Sequence, residues 1–312
     1  MTTDTTTGPA VETVRLGRPR FTGANIRTWI GFKHFMYLVE EAILEWFRRQ
    51  GQAPGRLYLE HGLGLEIVDS SVLLPAVLEL DDEVTALVAP AAGGEPGRFS
   101  VRLLVTRDGR EVSVLRGRVS VVLVAEKDPP GSAPAGALRP LVVAEAGGGG
   151  PGTAITGDVA ATLTPHGSTA LLWSWRTAYQ HCHYSDRVQH SAYVAALEDV
   201  VERFLADRGI SVRRMLAERA WIPVVSRARV TLLADVHMEE TVHTTFVVTD
   251  VLRGTTFDGR MDCYVRRGDR LVHTATATIL HGYAISRGPG AGRLAELDAP
   301  TVAALTGGPA RR

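Results

Sequence analysis

The chain has 312 residues, which is enough for one large domain or two of ordinary size. Its 34 basic and 34 acidic residues give a formal net charge of zero, so bulk charge predicts neither a nucleic-acid partner nor attraction to an anionic membrane. Apolar runs are too short to span a bilayer and the N-terminus lacks the features of a signal peptide, so the sequence predicts a cytoplasmic protein without a membrane partner.

Composition divides the chain into five segments. We predict a disordered N-terminus at 1–15, a first folded unit at 16–125, a Pro/Gly-rich linker at 126–157, a second folded unit at 158–286 and a low-complexity tail at 287–312. The glycine, proline and small residues of the three low-complexity segments bury too little apolar surface to offset the loss of chain entropy on folding.

The two folded units repeat one pattern. In 35–51, apolar residues recur at the three- and four-residue spacing of an amphipathic helix, and the run ends at a glycine. The same pattern returns 158 positions later in 193–209, where Glu198 corresponds to Glu40. Two further matches, at offsets of 158 and 160, are 77–88 with 235–246 and 107–124 with 267–284. Three matches in the same order indicate an internal duplication.

In each unit the helix is followed by extended segments rich in valine, threonine, isoleucine and aromatic residues, divided by turn signals. One long helix followed by a meander predicts an α+β fold, in which an antiparallel sheet packs on a central helix.

The second helix and the loop before it, "YSDRVQHSAYVAALEDVVERFLADRG", resemble the hotdog-fold thioesterases of the 4-hydroxybenzoyl-CoA and acyl-ACP kind. That family carries an acidic residue, a His-Val-Asn-Asn-like stretch, a tyrosine and an acidic residue five positions later. Tyr193 and Glu198 match the last two, and "RVQHSAY" occupies the stretch before them. The resemblance implies a double hotdog, two tandem units each with a long central helix wrapped by an antiparallel sheet.

The chain also departs from this family. Ten residues before the tyrosine, where the family has its catalytic Asp, stands His183, and Ser185 and Arg187 replace the Asn and His of plant-type acyl-ACP thioesterases. The familiar catalytic set does not transfer directly, so Asp186 and His190 are candidates from neighbouring positions. "DRVQH" also resembles a motif in the second half of polyketide-synthase dehydratases, although that family's partner motif is not recognisable in the first half.

The duplication provides a comparison within the chain. The positions 158 residues before His183, Asp186, Arg187 and His190 hold Asn25, Thr28, Trp29 and Phe32. A structural requirement of the fold should recur in both copies, whereas chemistry needs only one. The asymmetry therefore favours a single active site per chain, mainly in the second unit.

The candidate catalytic residues are Asp186, His190, His183 and Glu198. Asp186 or Glu198 could attack a thioester carbonyl or activate water, and His183 or His190 could relay protons. Each also has a structural interpretation. His190 could be a local capping group, and Glu198 could be a structural carboxylate because Glu40 recurs in the first unit.

The candidate substrate-binding residues are Tyr193, Ser191, Arg213, Arg214 and His61. Ser191 is predicted to cap the second helix, with free amides nearby that could hold an oxyanion. Arg213 and Arg214 could meet the phosphates of CoA or a carrier protein. The alternatives are that Tyr193 packs in the core and that the arginines belong to a solvated turn.

These features predict an acyl-CoA or acyl-carrier-protein thioesterase of polyketide or fatty-acid biosynthesis. CoA or phosphopantetheine would enter only as part of the substrate, and no other cofactor is expected. His181 and His183 lack a third ligand at useful spacing, so no metal is expected either. A dehydratase or isomerase, an acyltransferase or decarboxylase, and a non-catalytic acyl-binding module stay open as alternatives, as does association into a homodimer.

Overall fold

A computed structural model describes residues 11–307 except 92, 94, 127–131, 133 and 135. The chain divides between Ala144 and Glu145 into two compact units. In the described residues no helix is both long and apolar enough to cross a membrane.

The first unit contains two helices and an antiparallel sheet. Its elements are β1 (Glu12–Gly17), α1 (Phe32–Arg49), α2 (Pro54–His61), β2 (Leu63–Leu73), β3 (Val84–Pro90), β4 (Arg98–Arg107), β5 (Arg110–Ala125) and β6 (Val142–Val143). Short 3-10 helices lie at Phe21–Gly23 and Gly136–Leu141. The strand order is β1-β3-β4-β5-β2, and β6 pairs with β5 in parallel.

Helix α1 is the centre of this unit. The residues with the predicted helical spacing are buried, among them Phe35, Val39, Ile43 and Phe47, each with at most 3% of its surface exposed. Their burial against the sheet removes large apolar side chains from water, which is the main favourable contribution to folding.

The second unit repeats this plan. Its elements are β7 (Gly152–Ala154), α3 (Val159–Leu163), β8 (Leu171–Arg176), α4 (His190–Asp207), α5 (Val212–Arg219), β9 (Trp221–Leu232), β10 (Thr241–Leu252), β11 (Thr256–Arg267), β12 (Arg270–Ile285) and α6 (Ala299–Thr306). A 3-10 helix lies at Tyr179–His181. The strand order is β9-β12-β11-β10-β8, and β7 pairs with β12.

The internal repeat extends to irregularities of the sheet. The β4–β5 ladder shifts register between Leu103 and Leu104. The β11–β12 ladder shifts between Cys263 and Tyr264, which are the positions 160 residues later. Because a bulge is a local feature of one strand pair, its recurrence supports the duplication inferred from sequence.

Two segments predicted to lack structure are ordered in part, and those predictions were wrong. Strand β1 begins at Glu12, inside the predicted disordered N-terminus, and pairs with β3. Helix α6 lies inside the predicted low-complexity tail, where Thr301 and Leu305 are each 1% exposed. Composition missed both because a short element needs only a few buried side chains. Residues 1–10 and 308–312 lie outside the described part of the chain.

The glycine-rich run of the predicted linker is also packed. A Cβ on Gly147 would lie 2.3 Å from the backbone nitrogen of Ala234, and one on Gly150 would lie within van der Waals overlap of the His273 carbonyl oxygen. The glycines therefore allow close approach of two backbones, a role that composition cannot distinguish from flexibility. Of the predicted linker, residues 127–131, 133 and 135 lie outside the described part of the chain.

Candidate active site at the start of helix α4

The loop before α4 is held by main-chain hydrogen bonds to the turn between β9 and β10. The amide of Val188 donates to the carbonyl of Val236 at 2.8 Å, and the amide of Met238 donates to the carbonyl of Asp186 at 2.7 Å. These bonds fix the side chains of the loop beside the turn that contains His237.

Asp186 and His237 form a pair of titratable side chains beside this loop. Asp186 Oδ1 lies 3.2 Å from His237 Nδ1, and the two side chains are 58% and 45% exposed. A carboxylate only accepts hydrogen bonds, so a neutral imidazole that donates to it from Nδ1 has a lone pair on Nε2. Nε2 can therefore accept a proton from water or a substrate.

Two further charged residues lie next to this pair. Arg187 is only 4% exposed and interacts electrostatically with Asp235. Burial raises the pKa of Asp235, and the positive charge of Arg187 opposes that shift. The carboxylate of Asp235 also accepts a hydrogen bond from the amide of Ala146 at 3.0 Å, which ties the glycine-rich segment to this region.

The first unit contains the same construction with different chemistry. There Ile30 donates to Leu78 at 2.9 Å and Leu80 donates to Thr28 at 3.0 Å, each position lying 158 residues before its counterpart. Thr28 Oγ1 donates to Glu79 Oε2 at 2.5 Å, in place of the contact between Asp186 and His237. A side-chain contact that fastens the loop is thus common to both units, but only the second unit builds it from a carboxylate and an imidazole.

This finding corrects part of the sequence argument. The first unit does not lose all polar interaction at these positions, because Thr28 fastens its loop as Asp186 does. A functional role for Asp186 is therefore supported by its contact with the imidazole of His237, and not by its polarity alone.

His190 is the first residue of α4 and is 1% exposed. Its counterpart Phe32 is the first residue of α1 and is 5% exposed. Because an apolar ring fills this position in the other unit, the fold does not require a polar group here, and a buried imidazole needs another explanation.

The predicted cap of the helix was wrong. The N-cap residue of α4 is Gln189, its side chain makes no capping hydrogen bond, and Ser191 lies inside the helix as its second residue. Helix α4 begins at His190 because the backbone of the preceding loop is still extended at Gln189. Amides at an N-terminus without a side-chain cap can donate to a bound anion or oxyanion.

His181, Cys182 and His183 precede the pair. His181 Nδ1 accepts a hydrogen bond from the amide of Ala178 at 3.0 Å, and burial lowers the pKa of its ring. Cys182 Sγ donates to the carbonyl of Asp186 at 3.2 Å, and burial raises the pKa of this thiol. His183 is half-buried, with its ring 4.9 Å from that of Tyr184. The contacts of His181 and Cys182 are those of loop structure.

Glu198 and Tyr193 lie further along α4. Glu198 is eight positions after His190, about 12 Å along the helix axis, and is half-buried. Its counterpart Glu40 has its pKa raised to about 8 by burial and by the neighbouring Glu66. Tyr193 is 1% exposed and is one of the largest fully buried side chains.

The structure does not bring the predicted arginines to the start of α4. Helix α4 is 18 residues long, about 27 Å, and α5 follows its far end. Arg214 bonds to Glu218 at 2.9 Å and to the carbonyl of Gly209 at 2.9 Å, whereas Arg213 is exposed on α5. In the first unit Arg56 pairs with Glu60 in the same way at 2.8 Å, so the pairing of Arg214 is a repeated structural feature.

His61, at the end of α2, also has a structural contact. Its Nδ1 lies 3.0 Å from the hydroxyl of Ser132. It lines a small pocket of the first unit, about 230 Å³ in volume, together with Gly51, Gln52, Arg56 and Leu57.

Sequence reasoning missed His237. The segment "DVHMEE" was matched only as part of the repeated extended region, and its contact with the loop arises from the return of the β9–β10 turn. The signal that could have found it is the duplication itself, since the offset of 158 aligns His237 with Glu79 as it aligns Asp186 with Thr28. In the described residues, no group of three or more His, Cys, Asp or Glu side chains could hold a metal ion.

No protein-family profile and no curated protein matches this sequence. Solved structures match its fold. The 12:0-ACP thioesterase from Umbellularia californica is 12% identical, with 88% of this chain and 94% of that chain covered and a TM-score of 0.59. A protein assigned as an oleoyl thioesterase from Lactobacillus plantarum is 11% identical over 88% and 95%, also with a TM-score of 0.59.

An acyl-ACP thioesterase from Bacteroides thetaiotaomicron is 7% identical, with 87% of this chain and 97% of that chain covered and a TM-score of 0.53. These similarities confirm the predicted resemblance at the level of the hotdog fold. At such identities they concern the fold and not the activity.

Proposed function

We propose that this protein is a double-hotdog thioesterase that hydrolyses an acyl thioester of CoA or of an acyl carrier protein, with one active site per chain in the second unit. The observation that carries the proposal is the replacement of the Thr28–Glu79 contact by Asp186 and His237 on an otherwise repeated scaffold. The fold shared with acyl-ACP thioesterases supports the choice of reaction.

In the proposed reaction Asp186 orients His237, and Nε2 of His237 removes a proton from a water molecule. The resulting hydroxide attacks the thioester carbonyl to form a tetrahedral intermediate. As the C–S bond breaks, the imidazolium returns the proton to the leaving thiolate. The products are a carboxylic acid and a free thiol, so water is the only co-reactant. Positioned acid–base catalysis of this kind contributes typically about 10²–10⁴-fold to the rate.

The start of α4 supplies the second element of the proposal. Its amides, which have no side-chain cap, would stabilise the oxyanion, and His190 would donate a further hydrogen bond from a position that the fold fills with a phenyl group elsewhere. Asp186 takes the orienting role because its carboxylate lies 3.2 Å from Nδ1 of His237. His183 and Glu198 become secondary candidates.

The substrate-binding residues are assigned only general roles. Ser191 would contribute through its backbone at the helix start, and Tyr193 would support the site from the core. Arg213, Arg214 and His61 lie on helices that follow the far ends of the central helices and are not assigned to the thioester centre. Cofactors other than the substrate's own CoA or phosphopantetheine, a homodimeric state and a cytoplasmic location stay predictions.

The test is hydrolysis of an acyl-CoA panel and of acyl-pantetheine, followed by detection of free thiol. The wild type should release thiol without loss of water from the acyl chain. Asp186→Asn should lower kcat/KM by about a hundredfold, while Thr28→Ala at the equivalent position should leave it unchanged. Loss of water with an intact thioester would favour a dehydratase instead, and saturable binding without turnover would favour an acyl-binding module.

A further inference from the structure

Four arginines lie on one face of two adjacent strands in the first unit. They are Arg98 and Arg102 on β4 and Arg116 and Arg118 on β5, and all four are exposed. They alternate with buried residues such as Val101 and Val119, so the arginine side chains point away from the core. We call this surface the arginine face.

The strand register brings these charges close together. Arg102 stands directly opposite Arg116, where facing Cβ atoms are about 4.5–5.5 Å apart. Arg118 follows Arg116 at two positions, about 7 Å along the strand. Like charges placed in this way destabilise a sheet.

Nearby carboxylates neutralise the positive charges of these arginines only in part. Arg98 lies 3.3 Å from Glu95 and Arg102 lies 4.0 Å from Glu111, but these glutamates are 80% and 65% exposed, so water screens both pairs. In the described part of the chain, neither Arg116 nor Arg118 forms an ion pair with a carboxylate.

The second unit shows that the fold does not require this arrangement. At an offset of 160, which the shared bulge fixes, Asp262 and Thr276 occupy the positions of Arg102 and Arg116. Thr276 Oγ1 donates to Asp262 Oδ1 at 2.8 Å, so the same register there carries a satisfied hydrogen bond. Asp262 also lies 2.8 Å from Arg260 Nε, so its charge is balanced. The first unit therefore places two like charges at a position where the second unit carries a carboxylate with both a hydroxyl and a guanidinium partner.

We propose that the arginine face docks an acidic protein partner, namely a carrier protein that presents the acyl group. The inference rests on the proposed function for the identity of that partner. The charges are spread over two adjacent strands, an arrangement that suits several carboxylates of another protein better than one phosphate. The outward side chains beside them, such as Ser100 and Ser120, are not aromatic and offer no platform for stacking bases. Complementary charge of this kind increases association rate and specificity.

The test measures binding of the full chain to a fluorescently labelled acidic acyl carrier protein in its phosphopantetheinylated form. The double variant Arg102→Ser/Arg116→Ser should bind at least tenfold more weakly than wild type, and wild-type binding should weaken as salt is raised. The matched control Arg287→Ser/Arg293→Ser removes two exposed arginines elsewhere and should bind within twofold of wild type.

Equal binding by the Arg102→Ser/Arg116→Ser variant and wild type would overturn the proposal, as would wild-type binding to anionic vesicles or DNA with none to the carrier. Hydrolysis of acyl-pantetheine, which has no protein part, separates this inference from the proposed function. It should be equal in wild type and both double variants. If wild type does not hydrolyse it yet binds the carrier through the arginine face, the docking inference stands and the thioesterase proposal fails.

Discussion

Glu40 offers a test of how the core of the first unit responds to pH. Burial and the neighbouring carboxyl of Glu66 raise its pKa from 4.5 to about 8. In the unfolded chain the carboxyl ionises near its ordinary pKa, whereas in the folded protein it keeps its proton up to about pH 8. Folding therefore takes up a proton between these values, and the free energy of unfolding falls as pH rises through this window.

The magnitude follows from the size of that window. Each pKa unit corresponds to about 1.4 kcal/mol, so a rise from pH 6 to pH 8 would cost at most about 2.7 kcal/mol at this one group. Because part of the side chain reaches solvent, we expect a smaller loss of about 1–2 kcal/mol. Glu40→Gln has no ionisable group there and should lose less stability over the same range.

Urea unfolding of both proteins at pH 6 and pH 8 measures this difference. The stability of Glu40→Gln relative to wild type should rise by about 1–2 kcal/mol between the two pH values. Glu95→Gln, which changes a glutamate that is 80% exposed, should follow wild type. Identical pH dependence in wild type and Glu40→Gln would refute the argument that Glu40 is held protonated by its surroundings.

Three other variants test separate features of the site and the fold. His190→Phe, which copies Phe32, should keep the melting temperature within a few degrees and lower thioester hydrolysis about a hundredfold; unchanged hydrolysis would remove His190 from the site. Gly150→Ala should destabilise the chain by about 1–3 kcal/mol in urea unfolding because its Cβ would overlap a carbonyl oxygen, and a neutral effect would contradict the packed linker. Arg102→Asp/Arg116→Thr, which copies the second unit, should raise the melting temperature by about 1–4 °C in calorimetry, whereas a decrease would show that the facing arginines do not repel.

The fold was predictable because its signals are local and repeated. The amphipathic patterns predicted which faces of α1 and α4 are buried. The offset of 158 predicted which positions of the two units are equivalent, and these positions form matching main-chain hydrogen bonds. Composition was a poorer guide, since Gly147 and Gly150 serve close packing and not flexibility.

The candidate site was predictable only in part. Asp186 and His190 stood out because they lie next to a helix start in the sequence. His237 did not, because it reaches Asp186 through a turn some fifty residues away, a separation that no local pattern records. The helix cap was misplaced for a similar reason: the path of the loop, and not the capping preference of Ser191, sets where α4 begins.

The most direct test of the account is the rate of acyl-pantetheine hydrolysis by His237→Gln, with Glu79→Gln as the matched variant in the first unit. Glutamine can still donate a hydrogen bond to Asp186, so the loop stays fastened while the base is lost. If His237 is the base, kcat/KM should fall by about a hundredfold or more for His237→Gln and stay unchanged for Glu79→Gln. Wild-type hydrolysis by His237→Gln, or an equal loss in both variants, would contradict this role of His237.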